Sequence, residues 1–141
     1  MHHFRKSLKA YESHRQADRS KPDCTLCPDR NVGKVLYQGN TMYVLKNRVM
    51  YDMFDGRRVE DHLLVMPLLH KSRTADFTDE EQLELLSIIS EYEAKGYNFY
   101  GRGVDSPTRS VKHQHTHLIK LVTKKPRYII AVSKPYIVLS K

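Results

Sequence analysis

The chain has 141 residues, of which 40% are hydrophobic and 28% charged, a size and composition that fit one globular domain with a real core. No apolar run reaches the length of a membrane span, since the longest, 63–69, is interrupted by Pro67. The N-terminus lacks the apolar stretch of a secretory signal, so a cytosolic protein is expected, and the formal charge of +8 would attract anions, nucleotides and nucleic acid among them.

Residues 4–19 are polar and free of Gly and Pro, and read as a surface helix or a loosely docked arm. Residues 22–33 set Cys24-Thr25-Leu26-Cys27 among Pro, Asp, Asn and Gly, the composition of a loop or knuckle. These are the only two cysteines, and in a reducing compartment their spacing points to a metal or a redox pair. Residues 34–37 and 42–45 read as two strands of a hairpin turned by Gln38-Gly39-Asn40. The charged stretch 47–61 is expected to be a surface loop. Residues 63–66 form a short apolar strand ended by Pro67, buried on both faces.

Thr78-Asp79-Glu80-Glu81 has the pattern of a capping box. The helix that follows places Leu85, Ile88, Ile89 and Tyr92 on one face and stops at Gly96. Residues 97–100 read as a strand and 101–108 as a loop. Residues 128–132 and 136–139 read as a closing hairpin, with Pro135 marking an edge strand. Strands around one strong helix predict an α+β domain with a mostly antiparallel sheet.

The segment 111–122 carries the most chemistry. It contains His113-Gln114-His115-Thr116-His117. On a strand, alternate side chains share a face, so the three imidazoles are expected to project together, with Val111 and Ile119 continuing their row. Each imidazole buries nitrogen that needs a partner, so packing alone is a poor reason for three of them. Such a row suits either metal binding or phosphoryl chemistry, in which a neutral imidazole attacks and neighbouring donors meet the developing charge.

The pattern His-x-His-x-His resembles the signature of the histidine triad (HIT) superfamily of nucleotide hydrolases and transferases. The resemblance spans residues 23–120. It includes Ser110-Val111-Lys112 before the triad, the segment from His62 through Pro67 to His70, the helix at 78–96, and Cys24-x-x-Cys27, which is similar to the start of zinc-binding bacterial members. It implies a HIT-like fold: a sheet of about five strands with one long helix, an N-terminal helix or arm at 1–22, the core at 23–120 and a C-terminal extension at 121–141. It implies that His115 is the nucleophile on the α-phosphate of a nucleoside polyphosphate or phosphoramidate, through a nucleotidyl-histidine intermediate. His117 would contact the phosphate and the bridging oxygen, Ser110 would donate to the leaving group, and Asn47 would bind the ribose hydroxyls. Arg109 and Arg102 are candidate phosphate contacts. Cys24, Cys27, His70 and His113 would complete a structural zinc site, and a homodimer is expected.

The chain departs from the family pattern at Gln114 and Thr116, usually apolar, which predicts a wetter back face for the strand. It departs again at Thr108 and Arg109, where many members have glycine and glutamine, and the strands beyond Lys120 have no family counterpart. Two other functions stay open: a zinc-stabilised nucleic-acid-binding module, and a nucleotide sensor with little turnover.

Overall fold

The computed structural model of the chain describes residues 3, 5–19, 24–30, 35–125, 129–133 and 136–140. Helix α1 spans Arg5–Arg19 and helix α2 spans Asp79–Ala94. The strands are β1 (Val35–Gln38), β2 (Met42–Lys46), β3 (Met53–Phe54), β4 (Arg57–Pro67), β5 (Tyr97–Gly101), β6 (Thr116–Leu121), β7 (Ile129–Ser133) and β8 (Tyr136–Ser140). The main sheet has six strands in the order β1-β2-β4-β6-β5, with β3 beside β4, and every pairing is antiparallel. The α+β class and the antiparallel sheet expected from the sequence are therefore present. The C-terminal β7–β8 hairpin forms its own two-stranded sheet. Its expected first residue, Tyr128, and that of the first strand, Lys34, lie outside the described residues.

Residues 42–45 of β2 and 62–67 of β4 are buried on both faces, as the unbroken apolar run predicts. One face holds Met42, Val44, Leu63, Val65 and Leu118 against Phe77 and Ile88, with Leu85, Ile89, Tyr92 and Tyr97 at its margin. These are the helix residues that the sequence period selects. The opposite face holds Tyr43, Leu45, Leu64 and Met66 with Leu26 of the cysteine knuckle. Fully burying one such side chain contributes about 1.5–3 kcal/mol. Side chains alternate along a strand, so His62 of β4 and His117 of β6 fall on the knuckle side and not on the α2 side.

Two expectations are corrected. Residues 47–61 are not simply a loop: β3 pairs with the start of β4, and β4 runs eleven residues from Arg57. The turn between them is Asp55-Gly56, with φ of 47° and 68°, the left-handed conformations that a tight hairpin requires. That dipeptide was the available signal. The histidine segment is not one continuous strand either. The β4–β6 ladder ends at Val65↔Thr116, so His113, Gln114 and His115 precede β6 in irregular backbone. The Gln114 amide N–H donates to the Lys71 carbonyl (2.7 Å) instead of to a neighbouring strand. Gln114, expected on a wet face, is buried, in a backbone held to Lys71.

Helix α2 begins with the complete capping box: the Glu81 amide donates to Thr78 Oγ1 (3.2 Å), and the Thr78 amide donates to Glu81 Oε2 (2.7 Å). Glu81 is buried, and the Lys71 ammonium also donates to Oε2 (2.5 Å). These contacts hold the carboxyl below its usual range against a burial effect that alone would raise it. Glu81 thereby ties the start of α2 to the stretch that backs the histidines. Glu81→Ala removes the reciprocal cap and the Lys71 partner, and is expected to cost about 2–3 kcal/mol in urea unfolding. A loss below about 0.5 kcal/mol would show that the contact is replaced by solvent.

Candidate active site and metal centre

The cysteine knuckle is a short turn followed by a 3-10 turn at Pro28–Arg30, stabilised by backbone bonds from Cys27 N–H to the Cys24 carbonyl and from Arg30 N–H to the Cys27 carbonyl. It faces His70, just beyond Pro67, and His113. One ligand atom from each of Cys24, Cys27, His70 and His113 lies within 4.8 Å of the others, so the sequence-predicted set is brought together. His113 Nδ1 is 3.7 Å from Cys24 Sγ and 3.6 Å from Cys27 Sγ, and His70 Nδ1 is 3.7 Å from Cys27 Sγ. Sulfur and nitrogen bound to one tetrahedral ion at ordinary lengths stand about 3.6 Å apart. His113 Nε2–H donates to the Pro67 carbonyl (3.0 Å), which leaves Nδ1 unprotonated toward the thiols, the outer-shell support typical of a ligating imidazole. The four residues fit a tetrahedral metal ion.

The three triad histidines are all buried, but they do not form one row. His113 turns to the cysteines. His115 and His117 lie edge to face with ring centroids 5.0 Å apart. His115 Nδ1–H donates to the His113 carbonyl (2.7 Å), so the lone pair of this ring is on Nε2. Burial lowers the proton affinity of His115 first; the bond to the His113 carbonyl opposes this, and the Arg109 and Arg102 charges lower it further. The ring is therefore neutral near physiological pH, as a nucleophile must be.

Sequence reasoning missed the role of His62 as a site residue. It is fully buried on β4, and its Nε2 is 2.8 Å from His117 Nδ1. Its Nδ1 accepts the backbone N–H of Tyr51 (3.2 Å). Burial lowers its pKa to about 3 and that of His117 to about 2. His117 sits between the rings of Tyr51 (5.6 Å) and Tyr100 (5.5 Å), and its Nε2 is buried with no hydrogen-bond partner among the described residues. Tyr51 lies in the stretch first read as loop, and its ring also packs on His62 (4.5 Å). His3, for which the sequence offers no role, packs behind Tyr51 (5.5 Å), while Ser7 Oγ of α1 donates to Asp52 (3.1 Å). No local pattern marks these contacts. Only the second histidine at the head of the apolar strand could have drawn attention.

The other predicted residues are placed as follows. Asn47 Nδ2 lies 3.2 and 3.3 Å from the His62 ring nitrogens, and Oδ1 accepts the Val49 N–H (3.1 Å). Arg102 donates to Tyr51 Oη (3.2 Å) and stands over the Tyr100 ring (5.7 Å), beside His117. Arg109 donates to the carbonyls of Ser72, Val111 and Lys112, so its guanidinium braces the backbone on both sides of the triad entry. Ser110 is exposed. A shallow depression bordered by Glu93, Gly96, Tyr97, Asn98 and Phe99 contains none of the histidines.

No protein-family model matches the sequence, and no curated protein does. Solved structures do match. A HIT family hydrolase from Clostridium thermocellum superposes with a TM-score of 0.54 at 16% identity, over 77% of this chain and 98% of that one. A histidine triad protein from Clostridium difficile gives 0.53 at 20% identity, over 78% and 99%. A HIT family protein from Bacillus anthracis gives 0.51 at 19% identity, over 70% and 75%. The chain has the histidine triad fold. At this identity the likeness concerns the backbone. Within the histidine triad fold, the placement of His62, His115 and His117 described above comes from this chain's own contacts. Among the described residues, no helix is long and apolar enough to cross a membrane.

The buried rings give a pH dependence with a definite sign. His62 and His117 are neutral in the folded state down to about 3 and about 2, whereas in the unfolded chain they titrate near 6.5. Below about pH 6.5 the unfolded chain binds more protons, so stability is lost as pH falls through that value and continues to fall toward pH 3. Each ring is expected to cost about 2 kcal/mol between about pH 7.5 and about pH 5 in urea unfolding. A flat profile across that window would mean that the rings are protonated in the native state.

Proposed function

We propose that the chain is a HIT-type nucleotide hydrolase or nucleotidyltransferase that cleaves at the α-phosphate of a nucleoside polyphosphate or phosphoramidate through a nucleotidyl-His115 intermediate. One observation carries the reading: His115 Nδ1–H is committed to the His113 carbonyl, which leaves the lone pair on Nε2, and this ring stands edge to face at 5.0 Å from that of His117, whose Nε2 is buried without a partner among the described residues. A neutral imidazole nucleophile next to a polar nitrogen that lacks a partner is the arrangement required for attack at a phosphate oxygen-bearing centre. The Clostridium thermocellum neighbour is described as a hydrolase, which accords with this reading.

In this scheme Arg102, held beside His117, is the better placed guanidinium for the outer phosphates. Arg109 acts through the backbone that it braces. Asn47 would meet the ribose from its position on His62, and Ser110 would donate to the departing group from its exposed position. We assign zinc to the cluster of Cys24, Cys27, His70 and His113, because two thiolates and two imidazoles match its preference. With four protein ligands it cross-links the knuckle, the Pro67 segment and the triad entry. We further propose a homodimer through the outer edge of β5, which among the described residues pairs only with β6 and leaves Phe99 exposed, along with Leu83 and Leu86 on α2.

A second reading, a nucleotide sensor with little turnover, is favoured by the low exposure of His115, 9%. One experiment separates the two. Intact-protein mass spectrometry after mixing with adenine nucleotides is expected to show an added nucleotidyl mass, or released mononucleotide, with wild type and not with His115→Ala. Equal turnover in both proteins eliminates His115 as nucleophile, and binding without turnover in either favours the sensor. Protein purified without chelator is expected to carry one zinc per chain, and Cys27→Ser to lose most of it, measured by plasma mass spectrometry. Metal-free wild type would remove zinc from the scheme.

A further inference from the structure

The net charge of the chain is not spread along it. Residues 1–105 carry 16 Lys and Arg against 16 Asp and Glu, whereas residues 106–141 carry eight Lys and Arg and no Asp or Glu. Six of the eight, Lys120, Lys124, Lys125, Arg127, Lys134 and Lys141, lie from the end of β6 onward. The formal charge of +8 therefore belongs to the part of the chain that holds β6, β7 and β8. A field of one sign confined to one region directs an anionic partner to that region.

The root of this extension is a basic cluster. The Val122 amide donates to the Arg58 carbonyl (2.9 Å), and the Arg57 guanidinium donates to the Thr123 carbonyl. These bonds hold the β3–β4 hairpin, with Arg57 and Arg58, against the stretch that leads into Lys124 and Lys125, which are both exposed. Asp55 and Glu60 are the acids that flank the two arginines in sequence, so the cluster keeps a net positive charge. Beyond it, the β7–β8 hairpin pairs with no strand of the main sheet among the described residues. Its register sets Ile130 opposite Leu139 and Val132 opposite Ile137. Residues two apart on a strand share a face, so these four aliphatic residues lie on one face of the hairpin. The other face carries Ile129, Ala131 and Val138 with Ser133, Tyr136 and Ser140. A two-stranded hairpin is marginal in water by itself, so an all-aliphatic face on one calls for cover.

We propose that the β7–β8 hairpin, with the basic cluster at its root, is a peripheral docking surface for an anionic lipid bilayer. Charge and apolarity together choose this occupant. A second copy of the hairpin would set like charge against like charge, which opposes self-pairing. A nucleic acid answers the charge and leaves the aliphatic face unanswered, because it meets proteins through phosphates, base edges and stacked rings. A bilayer with anionic headgroups answers both. The basic residues stay at headgroup level and the aliphatic face enters the boundary with the acyl chains. Each strand has five residues, about half the length of a strand that crosses a bilayer, so the hairpin lies at the surface.

The test uses the full chain and sedimented vesicles, of phosphatidylcholine alone and of phosphatidylcholine mixed equally with phosphatidylglycerol. The chain is expected to sediment with the mixed vesicles and to stay in solution with phosphatidylcholine. The double variant Lys124→Ala and Lys125→Ala is expected to weaken binding about 25-fold, about 5-fold for each basic residue near an anionic surface. The double variant Ile137→Ser and Leu139→Ser, at unchanged charge, is expected to weaken it by about 10-fold or more. Both variants are expected to keep the wild-type urea midpoint and oligomeric state. Equal binding to the two kinds of vesicle, or binding to neither, overturns the proposal. Tighter binding to duplex DNA at the same phosphate concentration, unchanged in the Ile137 and Leu139 variant, assigns the cluster to nucleic acid and also overturns it. A lowered urea midpoint in that variant shows that the domain itself covers the aliphatic face, and a shift from dimer to monomer gives the face to a second copy. Either result overturns lipid docking.

Discussion

His113 makes three directed contacts that a residue in a regular strand could not make together. Its Nδ1 faces two thiols, its Nε2 donates to the carbonyl at the end of β4, and its own carbonyl accepts Nδ1–H of His115. Each contact is ordinary alone. Together they connect the metal ligands, the Pro67 segment and the candidate nucleophile through one residue, so orientation of His115 follows from contacts made by His113 on the far side of its ring. A metal at the cluster would act on the reaction site through this residue and not through contact with substrate.

The sheet supplies the rigid frame for that arrangement. Both faces of residues 42–45 in β2 and 62–67 in β4 are buried, one against α2 and the other on the side of the knuckle and the histidines. An imidazole on the second face is taken out of water by the same packing that stabilises the strands. That cost is met in three ways: His113 by thiols and a carbonyl, His115 by a carbonyl, and His62 by a backbone amide on one nitrogen and His117 on the other. Nε2 of His117 is fully buried without a partner among the described residues. An unsatisfied buried donor costs about 1–3 kcal/mol, a penalty that a phosphate oxygen would relieve.

The N-terminal helix and the β2–β3 connection add a layer over this face. Tyr51 closes one side of His117 and presents its amide to His62, and His3 and Ser7 hold the neighbourhood of Tyr51 and Asp52. Among the described residues, the contacts of α1 and His3 on this side are polar and aromatic: Ser7 Oγ with Asp52, and His3 with Tyr11 and Tyr51.

Local chemistry in the sequence settled several features. The Thr78–Glu81 capping box and the apolar period fixed α2, because caps and helix faces depend on residues three and four apart. The unbroken run ending at Pro67 fixed a strand buried on both sides. The four candidate metal ligands followed from the family resemblance, and the fold brings their ligand atoms together. Tertiary structure decided the rest. Whether His113 and His115 continue β6 depends on where the β4 ladder ends, and His62 became a site residue only because antiparallel register sets it, across from Ile119, beside His117. Tyr51 joined them through a hairpin whose marker, Asp55-Gly56, gives a turn but not what the turn packs against. Sequence period fixes which way a side chain points from its own element, and only the packing of distant elements fixes what it meets there.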